Sequence, residues 1–131
     1  MLSDKPFQVP PYLLDRIEGT DRVRMAIAGA DHPIALESAR QGADAGIIEP
    51  VLVGDADLIR AAARDIDWDV EAYAIVDAVG EERAPAAAVA LAKSGEVSSL
   101  MKGHLHTDTL MKAVVNREHG LRTARRLSHV F

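Results

Sequence analysis

The chain contains no cysteine in 131 residues. Disulfides, thiolate metal sites and a cysteine nucleophile are therefore excluded, and a reducing cytoplasm is the expected setting. No charge-free apolar run approaches the roughly 20 residues needed to cross a bilayer, so no membrane span is expected. Met1-Leu2-Ser3-Asp4-Lys5 leads into polar, proline-containing sequence and not into an apolar stretch behind a basic start, so no secretory signal is expected either. The glycines form neither G-x-G-x-x-G nor G-x-x-x-x-G-K-[ST], which leaves dinucleotide and P-loop sites unsupported. A positive excess is also missing: the net charge of −5 argues against a dedicated nucleic-acid binder.

With 48% hydrophobic and 27% charged residues, the composition is that of a globular protein of one domain. The charge is unevenly spread. Residues 102–131 hold six basic residues against Asp108 and Glu118, a net of +4, which leaves −9 on the first 101. Four of the five histidines, His104, His106, His119 and His129, lie in the same basic segment. A local cationic surface on an acidic protein suits a small anionic ligand better than a polymer, although a solvated basic face has the same pattern.

Residues 1–11 hold three prolines and no apolar period, and are expected to be a poorly ordered lead-in or linker before an α/β domain over 12–131. A short helix is expected over Tyr12–Ile17, ended by Gly19. Strands are expected at Val23–Gly29, Ile47–Gly54, Ala72–Val76, Val97–Met101 and Leu127–Phe131. Helices fall between them: one capped by Asp31 and running to about Gly46, one capped by Asp55, an alanine-rich one over Glu81–Ser94 closed by Gly95, and one starting at His106 or Thr107 and running to Val115. Pro33 sits in a first turn, and Pro50 near a strand start, where its missing N–H is tolerable. Alternating strands and helices imply right-handed crossovers, hence a mainly parallel sheet covered on both faces.

In such sheets ligands gather at the carboxyl ends of the strands. Of the four turns there, only Met101-Lys102-Gly103-His104-Leu105-His106-Thr107 is cationic. Lys102 leaves the sheet, Gly103 permits close backbone approach, and Thr107 offers a hydroxyl at a helix start; together they can hold an anion. The alternative is a glycine turn with Thr107 as an ordinary cap. Lys112 lies somewhat over one turn along that helix and contributes only if the ligand extends so far. His104-x-His106 lacks a third metal ligand other than Asp108, so no metal is expected. Asp31-His32 reads as a cap and a surface histidine in preference to an acid/base pair, and Trp68 as a packing residue. Arg122, Arg125 and Arg126 either clamp a phosphate-rich ligand or pair with acidic residues across a subunit contact.

The stretch from Leu100 to Val114, with Gly120-Leu121-Arg122-Thr123, Leu127–Phe131 and Ala45–Gly54, resembles the amino-terminal part of the phosphate acetyl/butyryltransferase family. Within it the chain looks closest to the butyryltransferase-like branch, including domains fused behind an enoyl-CoA hydratase-like domain, for which Phe7–Pro11 would be the junction. The resemblance implies a three-layer α/β/α fold of the isopropylmalate dehydrogenase type. It also implies reversible acyl transfer between coenzyme A and phosphate, with coenzyme A as substrate, no bound cofactor and a homodimer. Lys102, Gly103, Thr107 and Lys112 would line the acyl-phosphate cleft, and Arg122 the coenzyme side or cleft wall. The family's catalytic serine, arginine and aspartate fall beyond Phe131, so the chain is expected to be truncated and short of full activity. The alternative is a non-catalytic phosphate- or coenzyme A-binding module. A receiver-like signalling domain fits poorly, because Asp31 has no acidic neighbour and the lysine follows the fourth strand.

Overall fold

The computed structural model describes residues 8–128 and residue 130. The elements run α1 (Pro11–Ile17), β1 (Val23–Ala28), α2 (Pro33–Asp44), β2 (Ile48–Gly54), α3 (Ala56–Asp65), β3 (Ala74–Asp77), α4 (Arg83–Ser94), β4 (Ser99–Lys102) and α5 (Thr107–Val114). Among the described residues there is one sheet, of order β3-β2-β1-β4, and all its pairings are parallel. The expected α/β class and three-layer arrangement are therefore present.

Alternation along the strands decides which helix covers which face. Met25 and Ile27 of β1, Ile48 and Leu52 of β2 and Met101 of β4 face α2 and α3, where Leu36, Ala39, Ile59, Ala62 and Ala63 complete one core. Ala26, Ala28, Val51 and Val53 point the other way, against Ala84 and Ala88 of α4, with Leu105 and Leu110 packed alongside. The second core is made of smaller residues, which lets the alanine-rich α4 lie close to the sheet. None of the residues of α1 is buried, so this helix adds nothing to either core.

Pro50 is fully buried in β2, and the hydrogen-bond directions explain how it is accommodated. Val23 N–H donates to Ile47 C=O and Gly29 N–H to Val53 C=O, so odd-numbered residues of β2 face β1. Even-numbered ones face β3, as the bond from Ala78 N–H to Gly54 C=O shows. The missing N–H of Pro50 therefore lies on the β3 side, one residue before that ladder begins at Val51 opposite Ala74.

Two expectations are corrected. The cap of α2 is His32 and not Asp31: His32 has extended backbone, as a residue before proline favours, and its ring accepts from Ile34 N–H. Asp31 instead accepts from Asp55 N–H at 3.2 Å and ties the end of β1 to the end of β2. The expected fifth strand is also not seen. Leu127, Ser128 and Val130 are outside any strand, while His129 and Phe131 lie outside the described residues, as do residues 1–7 of the lead-in and with them Phe7 of the junction. An apolar run alone does not make a strand without a partner edge to pair with. Asp55 does cap α3, and Gly95 closes α4 in the left-handed region at φ 82°.

Leu52 has no solvent exposure, whereas Leu58 on α3 is 53% exposed. Leu52→Ala is expected to lower stability by roughly 2–5 kcal/mol and Leu58→Ala by about 0.5 kcal/mol or less, measured by urea unfolding.

Candidate functional site

The turn after β4 is held against the end of β1. Gly103 N–H donates to Ala28 C=O at 2.8 Å and His104 N–H to Gly29 C=O at 3.0 Å. A Cβ on Gly103 would come within 2.2 Å of the Gly29 carbonyl oxygen, so no other residue fits without moving backbone. The close approach expected of Gly103 is thus made, but by the neighbouring strand end. Its N–H is already bonded and is not open to an anion.

Lys102 is exposed at the end of β4 and curls over its own turn, with Nζ 2.8 Å from the Leu105 carbonyl and 3.3 Å from that of Gly103. Both bonds are to neutral acceptors, and among the described residues no carboxylate pairs with this side chain. Across the turn, the rings of His104 and His32 stack with centroids 4.0 Å apart and planes 17° apart. With Met101, Lys102, Gly103, Ile34, Ala35 and Ser38 they line a hollow of about 180 Å³ between the ends of β1 and β4. The sequence presents His32 as a surface histidine and places His104 in the cationic turn, but does not bring the two together. The available signal was topological: β1 and β4 are neighbours, so the residues just beyond them meet.

Thr107 is the first residue of α5, preceded by His106 as an N-cap that makes no side-chain cap bond. The His106 ring is turned instead to Glu81, from the segment before α4. The Glu81 carboxylate accepts from the His106 N–H at 3.2 Å and also contacts Nδ1 of its ring. Lys112 pairs with Asp108 one turn back, at 3.3 Å, and that ammonium holds the Asp108 carboxyl below its ordinary range. Lys102 and Gly103 are therefore brought together in the hollow, while Thr107 and Lys112 follow along α5 outside its lining. Arg122 is elsewhere, in a separate groove with Arg125 and Arg126. Among the described residues no group of three or more His, Asp or Glu is arranged to hold a metal ion.

No protein-family profile matches the chain. Individual proteins do. A phosphate acetyltransferase of Rickettsia typhi is 45% identical over 122 residues, covering 91% of this chain and 34% of that protein. A phosphate butyryltransferase of Clostridium beijerinckii is 36% identical over 118 residues, covering 90% of this chain and 39% of that protein. The chain is related to the phosphate acetyl- and butyryltransferases. Of these two relatives the acetyltransferase is the more similar, and the chain spans between a third and two-fifths of the length of each. The fold agrees: a phosphotransacetylase from Streptococcus pyogenes superposes with a TM-score of 0.68 at 14% identity, over 80% of this chain and 40% of that one. No helix among the described residues is long and apolar enough to cross a membrane.

The Glu81–His106 contact has a definite pH signature. The hydrogen bond to Glu81, and then its charge, raise the His106 pKa above the usual 6.5, while the bonds from His106 lower that of Glu81 below 4.5. The raised histidine stabilises the fold below its ordinary pKa and loses that effect as pH rises through the folded value; the lowered carboxylate does so above its ordinary pKa and loses it as pH falls through its folded value. The contact is therefore strongest in the window between the two shifted values. Monitored by NMR, His106 is expected to titrate above 6.5 in the wild type and to move back toward it in Glu81→Gln. An unchanged midpoint in the variant would contradict the contact. Gly103→Ala, in turn, is expected to cost roughly 3 kcal/mol in urea unfolding, because its methyl has no space at the end of β1.

Proposed function

We propose that this chain supplies one wall of a phosphate acyltransferase site, where an acetyl or butyryl group passes between phosphate and coenzyme A. The observation that carries the reading is the 45% identity over 122 residues to a phosphate acetyltransferase. In the reaction, the thiol of coenzyme A gives up its proton, the resulting thiolate sulfur forms a bond to the acyl carbonyl carbon, the carbon–oxygen bond to phosphate breaks, and phosphate leaves with that bond's electron pair. Charge builds on the carbonyl and phosphate oxygens, so the protein's part is to position the reactants and to set cations beside those oxygens.

Lys102 is the group best placed for this role, as an exposed ammonium bonded only to carbonyls at a strand's carboxyl end. Gly103 shapes the turn that presents it. Thr107 and Lys112 extend the polar surface along α5 toward a longer substrate, and Lys112 joins by leaving Asp108. Arg122, on its separate groove, serves the coenzyme side in place of the acyl-phosphate pocket. Coenzyme A acts as substrate, with no bound cofactor in the chemistry, and the setting is a cytoplasmic homodimer. The 131-residue chain alone carries only part of the machinery, in keeping with the third of its relative's length that it spans.

Titration of acetyl phosphate into isotope-labelled protein is expected to shift the amides of Lys102–Thr109, and Lys102→Gln to weaken the effect about tenfold. Absence of any shift in that segment would sink the reading. Thioester formation from acetyl phosphate and coenzyme A by the chain alone is expected to be negligible. A rate matching that of a full-length relative would show instead that this portion is self-sufficient.

A further inference from the structure

One peptide group joins Lys102 to Glu81. The carbonyl of Leu105 accepts from Lys102 Nζ at 2.8 Å, and the N–H of the same peptide, that of His106, donates to the Glu81 carboxylate at 3.2 Å. A peptide is planar, so its two ends cannot be turned separately. We propose that Glu81 is a positioning residue for Lys102: by holding this peptide it parks the ammonium on its own turn, and it weakens the grip of Lys102 on an anion until His106 takes up a proton. The proposal rests on the reading of Lys102 as the cation that meets the substrate's phosphate.

Three observations support it. First, the parked ammonium is largely spent. An ammonium carries three donors, and the carbonyls of Leu105 and Gly103 take two of them. A phosphate that is to accept more than one bond from Lys102 must draw the side chain off the turn. Second, the peptide is held by charge at both ends. A cation on its oxygen and an anion on its N–H polarise it in the same sense, which strengthens both bonds. The N–H groups of Gly103 and His104 are fixed to the end of β1 and α5 begins at Thr107, so the peptide between Leu105 and His106 is the joint between the two.

Third, the charge of Glu81 is one that a proton can cancel, because its carboxylate also contacts Nδ1 of the His106 ring. Three charged groups act on that ring: Glu81, which raises its pKa most, Asp108 of α5, which adds to this, and Lys102, which opposes it. Asp108 is itself paired with Lys112. His32 and His104, also titratable, stack on each other in the hollow that Lys102 lines. With His106 protonated, the Glu81–His106 pair is neutral as a unit. With His106 neutral, the Glu81 carboxylate is uncompensated beside the Lys102 turn and opposes a ligand of its own sign.

Two NMR measurements on the 131-residue chain at low ionic strength test this. Without ligand, carbon relaxation at Lys102 Cε is expected to show an ordered side chain in the wild type and a markedly more mobile one in Glu81→Gln, with no change in Glu82→Gln, a charge control one residue on. With sulfate as the probe, a dianion whose charge is constant across the range, affinity read from the amides of Lys102–Thr109 is expected to fall about fivefold as pH rises through the His106 midpoint. Above that midpoint Glu81→Gln should bind sulfate about fivefold more tightly than the wild type. His106→Gln should lose the pH step. Unchanged Lys102 mobility in Glu81→Gln, equal sulfate affinity of that variant and the wild type above the midpoint, or a step of undiminished size in His106→Gln, which would assign it to His32 and His104, would each overturn the proposal. Should neither sulfate nor acetyl phosphate move these amides at any pH, the reading of Lys102 as an anion site fails, and the relaxation measurement alone decides whether Glu81 positions its side chain.

Discussion

The candidate site depends on how closely two strand ends approach each other. Gly103 and Gly29 meet backbone to backbone: Gly103 has no room for a side chain there, and a Cβ on Gly29 would press at 3.1 Å on the His104 carbonyl oxygen and on a Leu105 methyl. Gly29 also has φ 82°, which L side chains rarely adopt. This contact sets where Lys102 leaves the sheet, brings His104 over His32, and fixes the start of α5. The glycines act on function through placement: Gly103 N–H and Gly29 C=O are used in holding the two strand ends together.

Around that contact the acidic residues at the strand ends serve as ties. Asp31 reaches across to Asp55 N–H, Asp77 accepts from Ala56 N–H, and Asp55 caps α3. Negative charge at the β1–β2–β3 end of the sheet is thus absorbed by backbone donors. The β4 end is left cationic. The excess of basic residues after position 101 has its structural counterpart there, although it is divided between two places: the Lys102 turn and the arginine groove past α5.

The fold was largely legible because its signals are local. Short, near-continuous apolar runs marked β1 and β2, Asp55 and Gly95 marked helix ends, and the alternation of strands with helices implied parallel pairing. What failed was information carried between segments. Asp31 looks like a cap in isolation, and only the position of β2 shows that its partner is Asp55. The apolar Leu127–Phe131 run has strand composition, but a strand exists only where an edge receives it. The turn at Lys102 was found by its charge, whereas the His32–His104 stack and the Glu81–His106 contact join residues 72 and 25 positions apart and have no local trace. Arg122 was grouped with Lys102 by chemistry, and the geometry separates them.

Pro50 shows how one absent hydrogen reaches beyond its own strand. Because the side of β2 that faces β3 has no donor at this position, the ladder cannot be extended backward by a rung without leaving a carbonyl of the incoming strand opposite no N–H. The edge strand is bounded on its entry side by its neighbour's proline and by its own preceding turn, in which Tyr73 N–H donates to Val70 C=O at 3.0 Å. Its four residues begin at Ala74 and finish at Asp77, which delivers that carboxylate to the start of α3. A longer β3 would lengthen the unpaired edge of the described sheet, and the proline and the Val70–Tyr73 turn together keep that edge short.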